Sequence, residues 1–292
     1  MANTITLKRR IGSVKNTRQI TKAMELVAAS KMRRATESAH RGRAYREAAH
    51  SLLSRLTTIS DINEHPLFRK RPIKHRLYVV ITSDRGLAGA YNANIIKMLT
   101  RALRQDRTDN VKTSVIVVGK RGAQFIRRIE NLDLIAAYSD FGDHPDANDI
   151  RPILNTIIEL YTDEKVDDVQ LLYTIHRSNI LQEAQSLALL PARLDESIKV
   201  TGEGLSNTTF EPSVEVVLDN ATERLLEVQI WQAMLESIAS EHSMRMLAMK
   251  NATDNAGEII DDLTLEYNTA RQAKITQELA EITGGAEAMK DE

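Results

Sequence analysis

Asp84-Arg85-Gly86-Leu87-Ala88-Gly89-Ala90 follows a β-branched run and precedes a helical one. That is where backbone N–H groups and a helix N-terminus could cradle a phosphate. Its glycine spacing fits neither G-x-G-x-x-G nor G-x-x-x-x-G-K-[ST], and Val118-Gly119-Lys120-Arg121-Gly122 lacks the preceding glycine of a P-loop. Both read better as strand-to-helix turns that need glycine for their geometry. The seven histidines form no H-E-x-x-H and no i, i+4 pair. Asp140, Asp143, Asp146 and Asp149 are interrupted by Gly142 and Pro145 without an EF-hand pattern, so no metal site is expected. With no cysteine there is no disulfide, thiolate ligand or cysteine nucleophile. His242 falls on an apolar helical stripe and reads as a packed histidine rather than a base. No catalytic constellation, cofactor or small-molecule substrate is expected.

Any function must then come from how the elements are arranged. All six prolines lie between Pro66 and Pro212, and residues 1–65 and 213–283 hold only Gly12, Gly42 and Gly257. Proline costs a helix interior about 3 kcal/mol and glycine about 1, so two long helices bracket a turn-rich middle. At about 1.5 Å per residue they would be rods of roughly 80 and 100 Å, and their apolar stripes are most economically buried against each other as an antiparallel coiled coil. Seven-residue steps give Val228, Leu235, His242, Met249, Ala256, Leu263 and Ala270 on the second helix. Its expected companion row is Trp231, Ile238, Arg245, Ala252, Ile259 and Glu266. The first helix offers Val14, Thr21, Ala28 and Ala35, flanked by Ile11, Ile20, Met24, Val27 and Met32. The middle contains strand-like runs at 77–82, 113–118, 169–175 and, more weakly, 186–190. Helical stretches at 92–104, 121–129 and 149–161 separate them, predicting a mostly parallel sheet covered on both faces. The expected fold is α/β with a long coiled coil. A helix over 1–65 and another over 213–292 flank an inserted Rossmann-like domain over 66–212.

Charge is equally segregated. Residues 1–76 carry 18 Lys and Arg against 5 Asp and Glu, and residues 201–292 carry 6 against 18, within a near-neutral total of 39 to 40. A basic helix lying on an acidic one would be complementary. A nucleic-acid arm is disfavoured because Tyr45 is the only aromatic before Phe68 and no recognition motif is present.

Four separated blocks carry a resemblance. They are Ile11 to Met32 (IGSVKNTRQITKAMELVAASKM), Thr82 to Gly89 (TSDRGLAG), Met249 to Ala256 (MKNATDNA) and Ala270 to Ala288 (ARQAKITQELAEITGGAEA). In this order they resemble the gamma subunit of the F-type rotary ATP synthase over essentially the whole chain. The resemblance implies a non-catalytic central rotor stalk. It would stand inside a hexamer of alternating alpha and beta subunits, contact an epsilon subunit and the membrane c-ring, and couple proton-driven rotation to ATP synthesis or hydrolysis. Residue by residue, it places beta-subunit contacts at Lys22, Met24, Arg245, Arg271, Gln272, Thr276 and Glu278, and the c-ring contact at Phe210 and Glu211. The absence of a cysteine pair and of a transit peptide suggests a bacterial peripheral protein on the cytoplasmic face of the inner membrane. The rival readings are a non-rotating coiled-coil scaffold and an enzyme that binds nucleotide at the Gly86 turn.

Overall fold

The computed structural model of the chain describes residues 4–56, 65–130, 132–143, 145–178, 180–193 and 213–288. Helix α1 runs Thr4–Leu56 and helix α5 runs Val214–Ala288, 53 and 75 residues. Between them come β1 (His75–Ile81), α2 (Tyr91–Thr108), β2 (Lys112–Val118), α3 (Lys120–Ile126), β3 (Asp133–Tyr138), α4 (Ala147–Thr162), β4 (Asp168–His176) and β5 (Gln182–Leu190). Contacts divide the chain into two compact units, Ala28–Arg245 on one side and Met1–Val27 with Met246–Glu292 on the other. The division runs through both long helices rather than at their ends.

The larger unit is a three-layer α/β fold. Its sheet order is β3-β2-β1-β4-β5, with β1 to β4 parallel and β5 antiparallel at the edge. The strands read as continuous apolar runs because both faces are buried. Leu77, Val79 and Ile81 pack with Ile150, Ile153 and Ile157 of α4 and Leu226, Ile230 and Met234 of α5. Tyr78, Val80, Val115 and Val117 point the other way, onto Ile95 and Leu99 of α2 and Ile126 of α3. Serines on α5 let it approach the sheet closely. Ser237 Oγ accepts from Thr174 N at 3.1 Å, and Ser240 Oγ donates to Thr174 O at 3.2 Å.

One strand was not expected. Asp133-Leu134-Ile135-Ala136-Ala137-Tyr138 forms the far edge, and its alanines and single β-branched residue weaken the sequence signal. The acidic spacing read above as a failed cation loop has a different use. Asp146 and Asp149 make a reciprocal capping box that starts α4.

In α5 the expected row Val228, Leu235, His242, Met249, Ala256 is buried, and Leu263 and Ala270 extend it half-buried. The companion row holds in part: Arg245 is buried and Trp231, Ile238 and Ala252 are half-buried, but Ile259 is 47% exposed and Glu266 lies in solvent. Gln232, Ala239, Thr253 and Ile260 are buried beside the first row. The buried stripe follows i, i+4, i+7 rather than i, i+3, i+7. Its polar members, Gln232 and Thr253, hid it from a hydrophobicity count.

A buried ionic set joins the two faces' supports. Asp106 of α2 is fully buried and pairs with Arg76, whose Nε also meets Asp168 at 2.6 Å, and Tyr78 OH donates to Asp106 at 2.6 Å. Removing one partner leaves a buried charge without compensation. Asp106→Ala is therefore expected to cost about 3 kcal/mol, read as a lower midpoint in urea denaturation of the full chain.

Candidate functional surface

The smaller unit is an antiparallel helix pair. Thr253 Oγ1 lies 2.8 Å from Thr21 Oγ1, and a Cβ built on Gly257 would meet the Arg18 guanidinium at 3.8 Å. Partner numbers thus rise on α5 as they fall on α1. Counted outward from Thr21 and Thr253, the first residue of α1, Thr4, comes opposite Ala270. Burial agrees with this count. Ala270 is the last half-covered residue, and residues 271–284 are all exposed.

This overhang is not a polar end. Ile275, Leu279 and Ile282 are 48, 58 and 68% exposed at i, i+4, i+7 spacing. Among the described residues, ten of the fifteen exposed large hydrophobic ones belong to this unit, Ile20, Leu26, Val27 and Leu265 among them. The charge complementarity expected between the helices is not used as ion pairing: among the described residues no ion pair joins α1 to α5 in this unit. Lys22 pairs with Glu25 of its own helix at 3.0 Å, and Lys274 with Glu278 at 3.6 Å. Lys8 and Lys15, two heptads and one heptad before Lys22, are exposed, leaving a basic stripe on α1.

The expected contact residues are thus placed as follows. Lys22 is exposed and Met24 half-buried, both opposite residues near 250–252 in the pairing. Arg271, Gln272, Thr276 and Glu278 lie on the overhang, about 20 residues and about 30 Å farther along. The structure brings Gln272 and Thr276 together, with Thr276 Oγ1 donating to Gln272 O at 3.0 Å. It does not bring that group beside Lys22 and Met24. Phe210 and Glu211 lie outside the described residues. The exposed apolar triad on the overhang was missed because it continues the coil periodicity; the signal available was the longer second helix.

Arg245 belongs to the larger unit, where it is buried in a polar junction. It donates to Glu241 Oε1 at 2.6 Å, to Gly86 O at 3.3 Å and to His242 Nδ1 at 3.1 Å. Since the guanidinium can only donate, His242 is the neutral Nε2–H tautomer and donates to Asp143 at 2.8 Å. Lys31 of α1 pairs with the other Asp143 oxygen at 2.7 Å. Burial lowers the His242 pKa, and Arg245 and Lys31 add to this against the raising effect of Asp143. Burial opposes ionisation of Asp143, but hydrogen bonds from Lys31 and His242 outweigh it and hold its pKa low. Burial raises the pKa of Glu241 despite Arg245.

The strand ends of the sheet hold a cavity of about 230 Å³ lined by Gly119, Lys120, Gln124, Arg127 and Tyr138, where a doubly wound fold could take a nucleotide. The anion position is already filled. Asp84 accepts from Lys120 N and Asp140 N, at 3.0 Å each, so a carboxylate of the chain itself caps α3 and would repel phosphate. Ser114 lies between His75 at 2.7 Å and Asp133 at 2.9 Å, fully buried. A catalytic triad needs the histidine in the middle, so this is packing. Among the described residues no group of acids and histidines could hold a metal ion, and no helix is long and apolar enough to cross a membrane.

The profile of the ATP synthase family matches residues 3–289. ATP synthase gamma chains of Acidithiobacillus ferrooxidans and Staphylococcus aureus are 40% and 38% identical, each over 99% of this chain and all of the relative. A chain of the Tetrahymena thermophila mitochondrial ATP synthase central stalk and c-ring structure aligns at TM-score 0.62 and 26% identity. It covers 80% of this chain and 99% of that one. A Euglena gracilis mitochondrial ATP synthase chain shares the fold at TM-score 0.69 and 19% identity, covering 98% and 94%. The chain belongs to the gamma-chain family of the F-type ATP synthases. It is the non-catalytic central-stalk rotor, as the resemblance implied.

Two outcomes are expected. The folded pKa of His242 lies below its unfolded value of 6.5, so the neutral form's contribution to stability is complete above about pH 6.5 and lost as pH falls. The urea midpoint should drop between pH 7.5 and 5.5, and His242→Gln, which still donates and accepts, should flatten that slope. Titration of the chain alone with ATP or NAD should show no binding at micromolar concentration; saturable binding would revive the enzyme reading.

Proposed function

We propose that the helix pair is the shaft of this rotor and that the overhang of α5 turns within a bearing formed by alternating alpha and beta subunits. The observation that carries this is the run 271–284, exposed throughout with an apolar stripe on a helix that has outrun its partner. A surrounding sleeve removes that stripe from water at about 25 cal/mol per Å². The basic stripe of Lys8, Lys15 and Lys22 suits acidic surfaces on the same partners. A rotor whose faces differ contacts three beta subunits differently, and each rotation then shifts their open and closed populations by differential affinity.

In this reading Lys22, Met24, Arg271, Gln272, Thr276 and Glu278 meet the beta subunits. Arg245 acts at the junction of α5 with the Gly86 turn. Of the helical segments 1–65 and 213–292, the parts in the helix pair, up to Val27 and from Met246, work as the shaft. The 66–212 domain receives the epsilon subunit and, through Phe210 and Glu211, the c-ring. The protein is peripheral, on the cytoplasmic face of a bacterial inner membrane. Full-length similarity to bacterial gamma chains supports this location.

Mixing the chain with cognate alpha and beta subunits should yield one ATPase-active species near the mass of three alpha, three beta and one gamma on size exclusion. Deleting residues 270–292 from the complete reconstituted complex should lower proton pumping per ATP hydrolysed by about fivefold or more, with nucleotide binding to the hexamer retained. Undiminished coupling would favour a scaffold that does not rotate.

A further inference from the structure

We propose that Thr21 and Thr253 are positioning residues that set the register of the shaft, holding the coupling residues of α1 at fixed heights relative to those of α5. This rests on the rotor reading for its consequence but not for its geometry. Among the described residues of the helix-pair unit, Leu7, Thr21, Met249, Thr253, Ala256 and Ile260 are buried. The two polar ones of these face each other across 232 residues of sequence, at 2.8 Å. Each hydroxyl also lies near a carbonyl of its own helix, Thr21 at 3.0 Å from Arg18 O and Thr253 at 2.8 Å from Met249 O. Each has one proton to donate, so the pair forms a chain in the seam, Thr253 donating to Thr21 and Thr21 to Arg18 O.

The rest of the seam cannot choose a register. Leu7, Ile11 and Val14 on one helix and Met249, Ala256, Ile260 and Leu263 on the other are apolar, and the seven-residue period repeats. Sliding one helix by a heptad, about 10 Å, would replace one apolar contact with another. Within this seam only the threonines oppose it; in the larger unit the same helices are also held, α1 through Lys31 on Asp143 and α5 through its packing on the sheet. A slip puts Thr253 opposite Val14 or Ala28, and Thr21 opposite Met246 or Ile260, and the hydrogen bond between the helices is lost. A single polar residue in an apolar seam is the device by which coiled coils specify register. No ion pair between α1 and α5 in this unit, among the described residues, shares the task. Slippage would move Lys22 and Met24 along the axis relative to Gln272 and Thr276 and so spoil their timing against the partner subunits.

The chain has no cysteine, so introduced pairs report register without background. In the purified full-length chain, Arg18→Cys with Gly257→Cys should be bridged by a short bis-maleimide in the native register. Arg18→Cys with Thr264→Cys or Lys250→Cys should be bridged only after a one-heptad slip in either direction. Thr253→Val keeps the shape of threonine and removes the hydroxyl. It should raise slipped cross-links relative to native ones about fivefold, equivalent to about 1 kcal/mol, and Thr253→Ser should restore the native pattern. In the reconstituted complex, Thr253→Val should lower proton pumping per ATP hydrolysed and Thr253→Ser should not. Thr21→Val tests the same bond from the other side if Thr253→Val does not assemble. A cross-link ratio unchanged by both valine variants would overturn the proposal, whatever the coupling. A changed ratio with unchanged coupling would overturn its mechanical role while leaving the rotor reading intact.

Discussion

A long helix in water must cover its apolar stripe, and the shape of this chain's functional surface follows from where that cover stops. Pairing with α1 protects α5 as far as Ala270, because the first helix begins at Thr4 and the two run antiparallel from the Thr21 and Thr253 contact. Beyond it α5 continues alone. Ile275, Leu279 and Ile282 are left exposed on it.

The larger unit meets the same need differently. Its α5 segment is buried by sheet packing, and the helix supplies serines, not only aliphatic residues, where it crosses β4. The polar junction of Lys31, Asp143, His242, Arg245, Glu241 and the Gly86 carbonyl ties α1, the loop before α4, the turn after β1 and α5 within that unit. Arg245, assigned by resemblance to a partner contact, is the most heavily bonded residue of this junction. A role in coupling would reach the beta subunits through the junction's geometry.

The α/β fold also shows how a nucleotide-binding architecture can be left without a nucleotide site. The turns after β1 and β2 stand where a phosphate loop would stand, but Asp84 occupies the helix end with a carboxylate. The backbone donors there are satisfied internally by Asp84.

Much of this was legible in the order of residues. The distribution of proline and glycine fixed two breaker-free helices, because a helix interior tolerates neither cheaply. Seven-residue spacing identified the row through Val228, Met249 and Ala256, and β-branched runs located β1, β2 and β4. The edge strand β3 was not legible, since alanine and leucine carry no strand preference until neighbouring β2 offers its hydrogen bonds. The true companion row was hidden because Gln232 and Thr253 are polar, and only packing reveals which polar groups find partners in the dark of a seam. Residue types likewise could not tell whether Arg245 faces solvent or a histidine, or where α1 runs out beneath α5. Local propensity and periodicity act along the chain and are written there; register, the employment of buried polar groups and the length of an unpaired tip depend on residues hundreds of positions apart, and the tertiary structure alone decides them.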